Sequence, residues 1–241
     1  MIEKTKGIVL HQIKYTDSGI IAQLYTRKYG RRSFLIRGVR NKKAGRHAVF
    51  LQPMFILDLI AYNKESRSLQ TMREYSVSYT PADIHSNIKK SSVAIFLGEV
   101  LTSVLLEESP NEELFDFIEE SVMYFDRCTE GYANFHIAFL AGLSSYLGFE
   151  PAKKISANDH FFDMLNGIFV PTPPLNGSYA NREVSQVLSV FFSSSYEQIK
   201  DIPLTGSFRN EVLETLVNYY SLHLPGLKKI RSLEVLKEVF S

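Results

Sequence analysis

A chain of 241 residues that is 45% hydrophobic can build a packed core, and none of its apolar runs approaches the roughly 20 residues needed to cross a bilayer. Met1 to Lys6 is charged with no apolar signal segment after it, and Cys128 is the only cysteine, so we expect a cytoplasmic protein without disulfide, cysteine-rich zinc site or cofactor. The net charge of +1 conceals a polarised chain: residues 1–80 hold 15 Lys plus Arg against 5 Asp plus Glu, whereas residues 81–241 hold 12 against 21.

The first eighty residues read as five strands rich in β-branched and aromatic residues: Gly7 to Ile13, Ile20 to Arg27, Ser33 to Val39, Met54 to Ile60 and Leu69 to Tyr79. Turn signals at Thr16 to Gly19, Tyr29-Gly30, Asn41 to Gly45 and Asn63 to Ser66 separate them. Five short strands suit a small closed barrel, either an OB-fold or an SH3-like barrel. After Thr80-Pro81 the hydrophobic period becomes helical. It predicts helices over about 86–107, from Glu112 onward, over Tyr132 to Leu147, and around Val184, Val212 and Leu227. The Pro- and Gly-containing stretch 151–180 reads as a structured crossover loop. The expected architecture is α+β multidomain, with a five-stranded barrel over 1–80 followed by an all-α bundle over 81–241.

Nine of the twenty residues from 27 to 46 are basic and none is acidic: Arg27, Lys28, Arg31, Arg32, Arg37, Arg40, Lys42, Lys43 and Arg46. Cations of this density concentrate polyanions, and Tyr15, Tyr25, Tyr29 and Phe34 are candidate surfaces for stacking of unpaired bases. No phosphate-cradling G-x-x-x-x-G-K-[ST] or G-x-G-x-x-G turn is present, and none of the six histidines lies in H-E-x-x-H. Two other readings stay open on residues alone. One is a metal-dependent nuclease using the carboxylates between Glu107 and Glu120, and the other is an RNA-binding OB module.

Gly7-Ile8-Val9-Leu10, Asp17-Ser18, Tyr29-Gly30-Arg31, Ile36-Arg37-Gly38-Val39-Arg40 and Leu51-Gln52-Pro53, in this order, closely resemble the N-terminal domain of the bacterial RecO family of DNA repair proteins. Leu147-Gly148-Phe149-Glu150-Pro151 and the segment from Leu227 to Leu233 extend the resemblance to nearly the whole chain. The resemblance implies an OB-fold and a helical domain in a non-enzymatic recombination mediator. Such a protein binds single- and double-stranded DNA and anneals complementary strands. It also contacts the acidic C-terminal tail of single-stranded DNA-binding protein, and acts with RecR to load RecA. By matching position Gly30, Arg31, Arg37 and Gly38 form the family's turn and basic strand end, with Arg37 the foremost DNA contact. The expected tail pocket is apolar and rimmed by Lys153, Lys154, Arg182 or Arg209, and the free protein is expected to be a monomer. Some family members carry a four-cysteine zinc module after the segment matching Leu147 to Pro151, but Ala152 to Val170 contains no cysteine. Phe161, Phe162, Leu165, Ile168 and Phe169 are expected to stabilise that stretch instead. The charge contrast further suggests that the acidic part sits beside the basic face rather than over it, leaving Arg37 to Arg46 exposed.

Overall fold

The computed structural model describes residues 2–16, 19–37, 48–62, 67–106, 109–154 and 156–240, and the chain forms two compact units, Met1–Arg127 and Cys128–Ser241. The first unit opens with a closed barrel of β1 (Ile2–Lys14), β2 (Ile20–Thr26), β3 (Gly30–Ile36), β4 (Ile56–Tyr62) and β5 (Leu69–Tyr79), in the order β1-β2-β3-β5-β4. All neighbours are antiparallel except β3 and β5. This is the small closed five-stranded barrel that the strand pattern predicts, in the OB-type form that the resemblance implies. Val9, Ala22, Leu24, Phe34, Leu57, Leu59 and Met72 fill its interior, as expected where side chains alternate between the two faces of each strand.

Between Gly7 and Leu10, β1 is buried on both faces. Val9 points into the barrel, while Ile8 and Leu10 are also almost inaccessible. A bulge between Val9 and His11 permits this arrangement. Val9 also accepts a backbone hydrogen bond from Met54 (2.8 Å) and donates one to the Phe55 carbonyl (2.9 Å), closing the Leu51-Gln52-Pro53 segment onto β1.

Among the described residues three α-helices complete this unit: α1 (Ala82–Ser86), α2 (Ile88–Val104) and α3 (Glu112–Arg127). The single helix expected near 86–107 is thus preceded by a short one, and Asn87 between them caps α2 by accepting from the Lys89 and Lys90 amides. α2 approaches β1 so closely that a Cβ on Gly98 would lie 2.5 Å from the Leu10 carbonyl oxygen. We expect Gly98→Ala to destabilise the protein by about 1–3 kcal/mol, as overpacking does, with a shift of the urea midpoint as the measure. The change from strands to helices falls at Thr80-Pro81, but these first helices belong to the barrel's compact unit. Residues 81–127 hold 3 Lys plus Arg against 10 Asp plus Glu, so most of the chain's acidity lies in the same unit as its basic strands.

The second unit is built around α4 (Phe135–Tyr146), which is apolar on nearly every side and almost wholly buried. Around it lie α5 (Arg182–Phe191), α6 (Gly206–His223) and α7 (Ser232–Val239). Tyr220, on α6, donates to the Leu140 carbonyl at 2.5 Å. Asn134 donates to the Ile199 and Ile202 carbonyls and accepts from Arg209 Nε at 3.0 Å.

Residues 151–180 are not simply a crossover loop. They contain a small sheet of β6 (Phe161–Asp163), β7 (Ile168–Val170) and β8 (Tyr179–Ala180), ordered β7-β6-β8. The prolines and glycines obscured strands only two or three residues long, below the length at which alternation is readable. Phe162 anchors the sheet to the core, with ring centroids 4.9 Å from Phe169, 5.6 Å from Phe192 and 5.0 Å from Tyr219. Phe161, Leu165 and Ile168, expected to share that task, are partly or fully exposed. A second organiser is Asp163, 4% exposed, whose carboxylate accepts from the Leu165 and Asn166 amides and from the Asn166 and Asn176 side chains. Burial alone would raise its pKa, but these hydrogen bonds reverse the effect and hold it below the ordinary carboxylate value.

Candidate nucleic-acid interface

The basic N-terminal segment separates into two groups once folded. Its first members hold α2 and α3 on the barrel. Arg27 Nη2 lies 3.1 Å from Glu112 Oε2, and its Nη1 lies 2.8 Å from Asp116. The hydrogen bond to Glu112 and the charge of Asp116 keep that guanidinium more firmly protonated than usual. Arg31 donates to the Thr102 carbonyl at 3.1 Å, and Lys6 lies 2.8 Å from Glu119. Arg32 pairs with Leu24 and points into the barrel, where it is only 7% exposed. Lys28 stays exposed beside Glu3, at 3.9 Å.

These positions correct several expectations. Phe34, 2% exposed, is a core residue and offers no face to a base. Tyr25 stacks on Phe115 with centroids 6.2 Å apart and is likewise buried. Tyr29 is half-buried; burial and its hydrogen bond to Glu3 push its phenol up to about 12. The acidic helix does cover part of the basic surface, because Glu112, Asp116 and Glu119 are ion-pair partners of barrel cations. Those pairings occupy three of the carboxylates considered above for a nuclease, Glu112, Asp116 and Glu119, whereas Glu113 and Glu120 are exposed and Glu107 and Glu108 lie outside the described residues. Among the described residues no group of three His, Cys, Asp or Glu is arranged to hold a metal ion.

What the helices leave open is the outer surface at the other end of the barrel. Ile13 pairs with Ile21, Ile21 with Leu35, Leu35 with Thr71, and Thr71 with Tyr62. Ile21, Leu35, Thr71 and Tyr62 alternate with core residues and Ile13 follows its partner Ile21, so the five form one outward stripe across β1, β2, β3, β5 and β4. Ile13 is 49% exposed and Tyr62 42%. The next outward positions on β1 and β3 are Tyr15, 57% exposed, and Arg37, also exposed. Beside Tyr62 a depression of about 250 Å³ is lined by Tyr62, Arg67, Leu69, Gln70 and Thr71. Two exposed tyrosines, two exposed arginines and an apolar stripe thus share one open sheet face. The larger hollow of about 540 Å³ on β1, β4 and β5 presents Lys4 and Lys6 together with Asp58 and Glu74, so it offers no field of one sign.

Nothing in the sequence pattern marks Tyr62 or Arg67 as part of such a face. The only available signal was their position flanking the turn at Asn63 to Ser66, which hydrophobic periodicity does not weight. Arg40, Lys42, Lys43 and Arg46 lie outside the described residues, as does Gly38. In the second unit Lys153, Lys154 and Arg182 are exposed, whereas Arg209 is half-buried and committed to Asn134 and to the Leu204 carbonyl at 2.8 Å. Arg209 therefore serves that unit's own packing rather than the rim of a pocket.

Comparison with known proteins agrees with this architecture. The family model for the recombination protein O N-terminal domain matches residues 1–80, and that for its C-terminal domain matches residues 85–234. The chain belongs to the recombination protein O family. Its relatives include proteins named DNA repair protein RecO from Phocaeicola vulgatus, 36% identical over 241 residues, and from Bacteroides fragilis, 36% identical over 242 residues. In both, the alignment covers 100% of each chain. A third, from Flavobacterium psychrophilum, is 34% identical over 240 residues and 99% of each chain. The first family model ends at residue 80, where the strands end. Among the described residues no helix is long and apolar enough to cross a membrane.

Proposed function

We propose that this protein is a non-enzymatic DNA repair and recombination mediator that grips DNA on the outer stripe of its barrel. The observation that carries the reading is the open sheet face on which Arg37 and Arg67 stand beside Tyr15 and Tyr62. Guanidinium groups neutralise phosphates of single or double strands, and exposed phenol rings stack on unpaired bases with little regard to sequence. Arg40, Lys42, Lys43 and Arg46, which lie outside the described residues, continue the cationic run of the sequence after Arg37. With Arg37 and Arg67 they give about six phosphate contacts, equivalent to a log-log salt slope near −4 on single strands.

Family membership supports the finer assignments: annealing of complementary strands, cooperation with RecR, and loading of RecA onto strands coated by single-stranded DNA-binding protein. In the second unit Lys153 and Lys154 are among the exposed cations open to the acidic tail of that coating protein. The decisive experiment mixes complementary oligonucleotides with the purified protein in the absence of nucleotide and divalent metal. The mediator reading expects faster duplex formation with both strands left intact. Unaltered annealing, or strand scission on addition of magnesium, would contradict it.

A further inference from the structure

The small sheet of the second unit has one face in the core and one in solvent. Phe162, Phe169 and Ala180 share the inner face, since Phe162 pairs with both of the others. The outer face therefore carries Phe161, Ile168, Val170 and Tyr179, with Asp163 between them. Asp163 is sunk beneath its hydrogen-bond donors, so the accessible part of this face is aromatic and aliphatic. Tyr179 is 37% exposed and Ile168 39%. The rings of Phe161 and Tyr179 meet edge to face, with centroids 5.8 Å apart.

Arg182 lies over this pair, its guanidinium carbon 6.0 Å from the Phe161 centroid. It is the first residue of α5, where the positive end of the helix dipole disfavours a cation. The Phe161 ring beneath the guanidinium offsets that preference. Lys153 and Lys154 are exposed on the adjoining segment, which the Ala152 amide ties to the Gly167 carbonyl in the turn between β6 and β7. The face is thus apolar and aromatic with cations at its margins, complementary to a ligand that offers flat rings and negative charge together.

We propose that this face is a second contact for single-stranded nucleic acid. Unpaired bases stack on Tyr179 and Phe161, and a phosphate pairs with Arg182. The inference rests on the nucleic-acid binding proposed above but concerns a separate surface. An open sheet face suits a base, which needs only an accessible ring, better than it suits a peptide anchor, which needs an enclosing pocket. Duplexes keep their bases stacked inside, so the contact discriminates against them.

The test titrates full-length protein into a labelled oligo-dT strand and into a labelled hairpin duplex of similar charge, at fixed salt. Tyr179→Ala combined with Arg182→Gln is compared with Tyr179→Phe and with Arg37→Ala. Both changes in the double variant are at exposed positions, and circular dichroism confirms that it folds. We expect the double variant to lose roughly tenfold in affinity for the single strand, with less than twofold change on the duplex. Tyr179→Phe should bind as the parent does, because the ring remains. Arg37→Ala should weaken both substrates, since it acts through phosphate on the barrel. Unchanged single-strand affinity in the double variant overturns the second site, whatever Arg37→Ala does. So does an equal loss on both substrates, or a loss seen only for an acidic peptide with an apolar end, which would give the face to a protein partner. A normal effect of the double variant with none from Arg37→Ala would refute the barrel assignment and leave this one standing.

Discussion

Replacing Lys90 by Met is expected to destabilise the protein by about 2–5 kcal/mol, although the two side chains are similar in length and the methionine is apolar. Lys90 is 1% exposed, and its Nζ lies 2.8 Å from the Phe125 carbonyl, 3.1 Å from the Asp126 carbonyl and 2.5 Å from the Asp83 carboxylate. The last carbonyls of any helix lack partners within the helix, and those of α3 end against this ammonium, which also complements the negative end of the helix dipole. Methionine would fill the space but leave two carbonyls without a charged donor. Asp83 is half exposed and can return to water, so the cost falls mainly on α3. A neighbouring knot shares the load: Asp126 accepts from Tyr79 at 2.8 Å and from the Asp83 and Ile84 amides at 2.9 Å, joining β5, α1 and α3. For a chain of this length the loss corresponds to a fall in thermal midpoint of about 4–20 °C. An unchanged midpoint would show that the carbonyls find other donors.

Acidification should unfold the second unit through His136. The residue is 1% exposed on α4, and burial, aided by the charge of Arg209, pushes its pKa down to about 3. Its folded pKa is depressed, so the unfolded chain binds the proton more readily between about pH 6.5 and 3. The stability held by the neutral ring is full above 6.5 and is lost as the pH falls through that window. At pH 4.5 the loss amounts to about 3 kcal/mol. In the first unit His85, stacked on Phe55 with centroids 4.9 Å apart, also has a pKa lowered by burial and acts in the same direction there. Urea midpoints at pH 7.5 and 4.5 measure the effect. His136→Leu should shrink the difference between them, and an identical pH dependence in that variant would disprove the assignment.

The barrel was legible in the sequence because β1 to β5 alternate or bury both faces strongly enough to announce themselves, and turn residues mark the gaps. α4 was equally plain from its uniformly apolar surface. What the sequence concealed was the use to which its cations are put. Arg27 and Arg37 look alike in a charge count, yet one is tied to Glu112 and Asp116, which follow about 85 residues later, and the other faces solvent. Long-range pairing of this kind leaves no periodic trace. The same limit hid Tyr62, whose place in the stripe depends on register across β1, β2, β3, β5 and β4, and it made Arg209 look like a surface cation although Asn134 claims it.

The division of the basic segment into helix-holding and DNA-facing cations is the central claim, and salt dependence of single-strand binding tests it most directly. Arg37→Ala combined with Arg67→Ala should remove two phosphate contacts and make the log-log slope shallower by about 1.4. Arg27→Ala should leave the slope as it is, because its guanidinium already rests on Glu112 and Asp116. A slope that flattens in Arg27→Ala and stays unchanged in the Arg37 and Arg67 double variant would place the DNA on the opposite end of the barrel and contradict the account.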